Sequence, residues 1–195
     1  KYFRRSWRKR HWFDSRIDGF VAAVASYREI EVIDIRSLEK SVHKNIIFRK
    51  EDFMNSNLKE QTDSVSCLHA IEHFGLGRYG DVIDCDGHIK GINNLVEILT
   101  KGGILYISFP IGTHDEVHFN AQRIFNPKSI LKIESINKKM KLIRFDWVDD
   151  NGDLYIKSNN FLYINVSSLP TLYLYCLPHH FLFILDTLLE MQDAF

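Results

Sequence analysis

Residues 64–81 read SVSCLHAIEHFGLGRYGD, and the interpretation of the whole chain turns on them. Ser64 to Leu68 is a run of small and branched residues, too brief for a helix, and reads as a buried strand. It passes directly into His69-Ala70-Ile71-Glu72-His73, where three side chains are able to bind, relay protons or ligate metal. Gly75 and Gly77 then release the backbone. A helix follows, and the next strand starts after Gly102-Gly103. Polar chemistry at the carboxyl end of a strand, in a chain that alternates strand and helix, points to an open α/β sheet with a ligand crevice.

Upstream, His11 to Asp14 reads as a first strand ending in the polar run Asp14-Ser15-Arg16. Gly19 then opens an apolar helix, Phe20 to Tyr27, whose alanines allow close packing on a sheet. This is the layout of a nucleotide-binding βα unit, although a plain βα turn looks the same and no G-x-G-x-x-G is present. Glu31 to Ile35 is a second strand, with Asp34 near its carboxyl end and Arg36 just beyond. Asp34 follows Asp14 by about twenty residues, the distance at which nucleotide folds place a ribose-binding carboxylate; a turn-capping Asp is the other reading. Asn45 to Arg49 is a third strand, and the Asp52-Phe53 pair after it suits either an adenine ring or a solvated loop.

Downstream, Ile89, Ile92, Leu95, Val96 and Leu99 recur at helical spacing, with Gly102 expected as a left-handed cap. Ile104 to Phe109 is the next strand, stopped by Pro110. The polar loop Gly112 to Asn126 is expected to overhang the crevice as a substrate loop, with imidazoles at His114 and His118 and Arg123 as an anion clamp. A solvated lid in which Arg123 pairs Glu116 is the alternative. Pro127 opens a helix to about Lys138, and strands Leu142 to Val148 and Leu154 to Lys157 flank an Asp/Asn/Gly turn.

With 195 residues the chain is most simply one domain behind a basic tail, residues 1–10, in which Lys1, Arg4, Arg5, Arg8, Lys9 and Arg10 cluster. It begins with Lys1 rather than Met, as a fragment or processed form does. Twenty-five basic and 25 acidic residues cancel, so no global field draws nucleic acid or an anionic membrane. Cys67, Cys85 and Cys176 form no metal-type pair and argue for reduced thiols in a cytoplasmic setting. Residues 158–195 are rich in Leu, Tyr and Phe but interrupted by Pro170, Pro178, His179, His180 and Asp186; they read as an atypical apolar tail without a span long enough for a membrane helix.

At SVSCLHAIEHFGLGRYGD, and at HIKGINNLVEILTKGGILYISFPIG (88–112) after it, the chain resembles the class I S-adenosylmethionine-dependent methyltransferases. More narrowly it is similar to a domain of unknown function within that superfamily, named after its nematode (Caenorhabditis) members. SRIDGFVAAVASYREIEVIDIRSL (15–38) and VHFNAQRIFNP (117–127) fit the same pattern, and the likeness covers roughly residues 11–150. The resemblance implies a Rossmann-like three-layer α/β sandwich with a mostly parallel sheet over residues 11–157, truncated at the N-terminus. It implies S-adenosylmethionine as cofactor, with Asp14, Ser15 and Gly19 at its methionine end and Asp34 at its ribose. Asp52 and Phe53 are then at the adenine, Leu68 and His69 alongside, and Glu72 and His73 close the site. The family pattern acid-x-Gly-Ser-Arg is not kept, since Asp14 meets Ser15 directly.

Three functions follow. The first is a methyltransferase on a small polar acceptor, with His73 and Glu72 as catalytic candidates. The second is an inactive binding module of the same fold. The third is a zinc hydrolase, because His69-x-x-Glu72-His73 is an H-x-x-E-H string, which needs a helix and a third ligand. The expected partner is a small molecule, with no nucleic acid, no stable membrane insertion and no resident metal; the oligomeric state stays open.

Overall fold

The computed structural model describes residues 10–13, 19–38, 41–118, 121–156 and 171–177. Short apolar runs bounded by polar turns become strands β1 (Arg10–Phe13), β2 (Ile30–Asp34), β3 (Ile46–Lys50) and β4 (Thr62–Leu68). Between β1 and β2 lies helix α1 (Gly19–Tyr27), and after β4 a single 3-10 turn spans Ile71–His73. Helix α2 (Gly87–Glu97) leads into the long strand β5 (Leu99–Pro110). A small hairpin, β6 (Glu116–His118) and β7 (Gln122–Ile124), precedes helices α3 (Pro127–Lys132) and α4 (Glu134–Lys139). Strands β8 (Lys141–Val148), β9 (Leu154–Tyr155) and β10 (Thr171–Leu177) complete the described elements.

The main sheet has the order β3-β2-β1-β4-β5-β10-β8-β9, and every pairing in it is parallel except β8 with β9. β1 lies between β2 and β4, so the strand order reverses direction beside it. At such a switch point the loops leave to opposite faces and open a crevice at the carboxyl ends. Strand alternation assigns the layers: Val32 packs with Val21, Val24 and Ala25 of α1, while its neighbour Ile33 packs with Ile92, Leu95 and Val96 of α2. Helices thus cover both faces, which is why the strands read as continuous apolar runs rather than alternating ones.

The structure departs from expectation in four places. Gly102 does not cap α2; it takes φ +74 inside β5, where Thr62 and Ser64 of β4 face Leu99 and Ile104. The fully buried Ile98 and nearly buried Leu99 pull the chain straight from helix into sheet, and the surplus residues bulge at the glycines. The helix from Pro127 to Lys138 is two helices, broken where Ile133 turns extended at ψ 129. Ile130 and Ile136 are both buried, and on one unbroken helix they would face about 120° apart. The loop Gly112 to Asn126 holds the β6–β7 hairpin. The stretch read as an apolar tail contributes Thr171–Leu177 to the sheet, between β5 and β8.

Ile107 is wholly buried at the centre of β5, paired with Cys67. Ile107→Ala is expected to cost about 2–5 kcal/mol, the transfer loss plus a cavity that a flat parallel sheet cannot collapse around. Urea unfolding checks this, with the midpoint falling at unchanged slope.

Candidate functional site

β4 delivers the site by ending abruptly. His69 turns the chain in the left-handed region, at φ 49, and its backbone N–H donates to both the carbonyl and the hydroxyl oxygen of Ser108 on β5, each at 3.1 Å. A β-branched residue would be strained there, whereas His tolerates it. The turn carries Ile71–His73 back under the sheet, and Ile71 and Glu72 become buried. Gly91 of α2 is pressed against this turn, so that an added Cβ would run into the Phe74 ring.

The result is a crevice of about 640 Å³ including its open mouth. Its walls come from the ends of β2 (Ile33 to Arg36), the segment after β3 (Glu51 to Met54), the turn after β4 (His69, Ala70, His73, Phe74) and the loop residues Tyr79 and Asp81. Of the expected cofactor residues, Asp34, Asp52, Phe53 and His69 meet here; Leu68 lies outside the lining and packs against the α1-side core. Gly19 heads α1, and Asp14 and Ser15 fall outside the described residues.

Glu72, 1% exposed, sets its Oε1 3.3 Å from His69 Nδ1 and 3.9 Å from His73 Nε2. Its Oε2 and His69 Nε2 are buried without a hydrogen-bond partner, an arrangement that ordinarily calls for a bound group or water. His73 Nδ1 lies 3.1 Å from the Ala121 carbonyl. A carbonyl only accepts, so Nδ1 carries the hydrogen and Nε2 keeps its lone pair. Burial pushes the His73 pKa down, against the opposing pull of Glu72 and of the Ala121 carbonyl. The H-x-x-E-H string does not lie on one helix, since His69 stands before the 3-10 turn in the left-handed region. Among the described residues no group of three His, Cys, Asp or Glu is arranged to hold a metal ion.

The expected substrate residues go elsewhere. Arg123, 5% exposed, donates from Nη1 to the Phe74 carbonyl and from Nη2 to the carbonyls of Asp84 (3.3 Å) and Cys85 (3.4 Å). The Asp84 carbonyl also accepts from the Gly87 N–H at 3.0 Å. The guanidinium joins the two ends of one loop, so it serves as a clasp rather than an anion clamp. His114 and His118 do not line the crevice: they flank Glu116, at 2.8 and 2.9 Å, on the exposed face of the hairpin.

The residues that sequence reasoning missed are Arg36, Tyr79 and Asp81. Asp81 caps its own loop, accepting from the N–H groups of Gly77 (3.0 Å) and Tyr79 (3.1 Å), and so presents Tyr79 to the crevice. Arg36 stacks on the Tyr79 ring at 4.6 Å, and the His73 ring meets that ring edge-on at 5.4 Å. A tyrosine between two glycines with an Asp beyond was the available signal.

Arg123→Met keeps the length of the side chain but removes the donor to the Phe74 carbonyl and one donor each from those of Asp84 and Cys85. It is expected to cost about 1–3 kcal/mol, the worth of one stranded acceptor, read by denaturant unfolding. His73 and His88 are both held below 6.5, by burial first in each case, with Arg123 adding to the effect at His88. The unfolded chain therefore takes these protons first, so their contribution is whole above about 6.5 and is lost as pH falls through that value toward the folded pKa. Thermal midpoints measured from pH 8 to 5 should drop at the acid end, and less steeply in His73→Gln and His88→Gln.

Solved structures resemble this one, two enzymes among them. A Burkholderia thailandensis 1,6-didemethyltoxoflavin-N1-methyltransferase, solved with 1,6-didemethyltoxoflavin and S-adenosylhomocysteine, superposes at a TM-score of 0.56 and 8% identity, over 72% of this chain and 64% of its own. The [4+2]-cyclase SpnF gives a TM-score of 0.48 at 14% identity, over 67% of this chain and 50% of its own. Identities this low show a shared fold and nothing of chemistry, and the fold rests on the first alone. This chain spans less than two thirds of that methyltransferase. No curated protein matches the chain in sequence. Its fold is that of the methyltransferases, and through residues 25–161 the chain belongs to the family described as "Caenorhabditis protein of unknown function, DUF268".

Proposed function

We propose that the chain is an S-adenosylmethionine-dependent methyltransferase acting on a small polar acceptor in a cytoplasmic setting. The observation that carries this reading is the crevice itself. It lies at the strand ends beside the reversal of strand order, with an almost buried carboxylate, Asp34, toward β2 and an imidazole, His73, toward β4. Phe53 and Met54 supply an apolar wall, and His69, itself in the lining, and Glu72 beside it carry the orphaned polar atoms. These residues fit a nucleoside-bearing cofactor.

On this reading Asp34 accepts from ribose hydroxyls, and Phe53 and Met54 border the base. Asp52 lies at the same border, where its oxygens accept from the Met54 N–H (3.0 Å) and the Asn55 amide (2.6 Å) and keep lone pairs for the base. Asp14, Ser15 and Gly19 are the residues proposed for the methionine end. The bound cofactor supplies an electrophilic methyl on a sulfonium, for which orientation of the acceptor matters most. His73, with its hydrogen fixed on Nδ1, offers Nε2 to take a proton from the acceptor. Glu72 holds His69 in place at the turn and bears on catalysis only through position. The free thiols of Cys67 and Cys85 accord with the cytoplasmic setting, and among the described residues no helix is long and apolar enough to cross a membrane.

A second reading is a binding module of the same fold without catalysis, and it draws on the engagement of Asp34 by Arg36. Calorimetry with S-adenosylhomocysteine, followed by a methyl-transfer screen over small hydroxyl and amine acceptors, separates the two. Binding is expected in the micromolar range, and Asp34→Ala should weaken it by about 1.5–3 kcal/mol, the worth of a hydrogen bond to a charged group. Binding without transfer to any acceptor supports the module. No binding at all removes the methyltransferase reading.

A further inference from the structure

Asp34, the carboxylate best placed to read a ribose, is not free to do so. Its Oδ1 accepts from the Arg36 backbone N–H at 2.7 Å and from Arg36 Nε at 3.0 Å, and its Oδ2 accepts from Arg36 Nη2 at 3.0 Å. The side chain of Asp34 is 8% exposed and that of Arg36 38%, so the guanidinium lies over the carboxylate on the solvent side. The same guanidinium lies over the Tyr79 ring, 4.6 Å from its centroid, and that ring stands edge-on to His73. A chain of contacts thus runs across the crevice mouth from the end of β2 to the proton-accepting imidazole.

We propose that Arg36 is the specificity-determining residue at the nucleoside end of the crevice, because it competes with the ribose diol for the Asp34 carboxylate. This rests on the reading of the crevice as a nucleoside-cofactor site. A planar fork on a carboxylate is a strong, directional pair, and a diol offers two neutral hydroxyl donors in its place. The ligand therefore gains both oxygens of Asp34 only as Arg36 releases them. The stack on Tyr79 gives the displaced guanidinium a place to remain, since the cation–π contact does not depend on the carboxylate. The backbone N–H of Arg36 stays on Oδ1 throughout, which keeps the carboxylate aimed into the crevice when the side chain moves.

The competition has a thermodynamic consequence: deleting the fork strengthens binding, although it removes a residue from the site wall. An unpaired, nearly buried carboxylate is costly, and a diol then relieves that cost. The test is calorimetric titration of S-adenosylhomocysteine into the wild-type chain, Arg36→Ala, Asp34→Ala and the double variant. Arg36→Gln is the second variant should Arg36→Ala not fold, because it keeps length and polarity without the charged fork; thermal melts report folding of each.

Arg36→Ala is expected to bind about tenfold tighter than wild type, the scale of one charge-assisted hydrogen bond. The gain should vanish when Asp34 is already Ala. Equal or weaker binding by Arg36→Ala overturns the proposal while wild-type binding leaves the cofactor reading standing. A gain that persists without Asp34 also overturns it, since Arg36 then obstructs by bulk alone. If neither wild type nor Arg36→Ala binds, the cofactor reading fails and the proposal falls with it.

Discussion

The crevice depends on one buried guanidinium. Arg123 comes from β7, far along the chain from the His-Ala-Ile-Glu-His turn, yet its donors end on the carbonyls of Phe74, Asp84 and Cys85. Those three carbonyls mark the two ends of the loop that carries Tyr79 and Asp81. The clasp acts beside the contacts that Arg78 and Tyr79 of the loop make with Ala121, Arg36 and His73. Burial lowers the Arg123 pKa, and the carboxylates around it, Asp81, Asp84 and Asp86, act the other way. Position and charge are thereby fixed together. The β6–β7 hairpin is in turn anchored to the sheet, where Phe125 N–H donates to the Pro110 carbonyl and Gly112 N–H to that of Phe125, both at 3.0 Å.

This arrangement changes how the hairpin bears on function. Among the described residues it contributes no side chain to the crevice; it contributes a main-chain oxygen near it. The Ala121 carbonyl accepts from His73 Nδ1 and, at 2.9 Å, from Arg78 Nη1. A backbone group thus sets the tautomer of the candidate base, and Arg78 reaches the same oxygen from the loop above. Nucleophile-side chemistry and roof geometry therefore share one acceptor. Movement of the hairpin alters both at once.

The fold was legible because its signals are local. Parallel strands buried on both faces show as apolar runs, and Ile92, Leu95 and Val96 mark the α2 face at helical spacing. The meeting of Asp34, Asp52, Phe53, His69 and His73 also followed from strand ends, which the order of elements supplies. What stayed hidden is what depends on partners distant in sequence. Arg123 carries the residue type of an anion clamp, and only the fold shows its donors consumed by carbonyls 38 to 49 residues away. Arg36 lies two residues from Asp34, so it was visible beside it. Whether such a pair forks or diverges is set by the turn after β2, and periodicity does not report it. The cap expected at Gly102 failed for a similar reason, because burial of Ile98 and Leu99 outweighed a local glycine preference.

The loop between Gly75 and Gly87 closes on itself. The Gly75 carbonyl accepts from Asp84 N–H at 2.9 Å, and a side chain on Gly87 would collide with the Gly75 backbone and the Met54 sulfur. The chain thus leaves the scaffold and rejoins it at nearly one point, while at Gly80 nothing lies within 4 Å of an added Cβ. A ring tied at its neck pays for added length only logarithmically in closure entropy. The roof of the crevice is therefore the part of this architecture most free to diverge in length and composition, with the scaffold beneath insulated from the change.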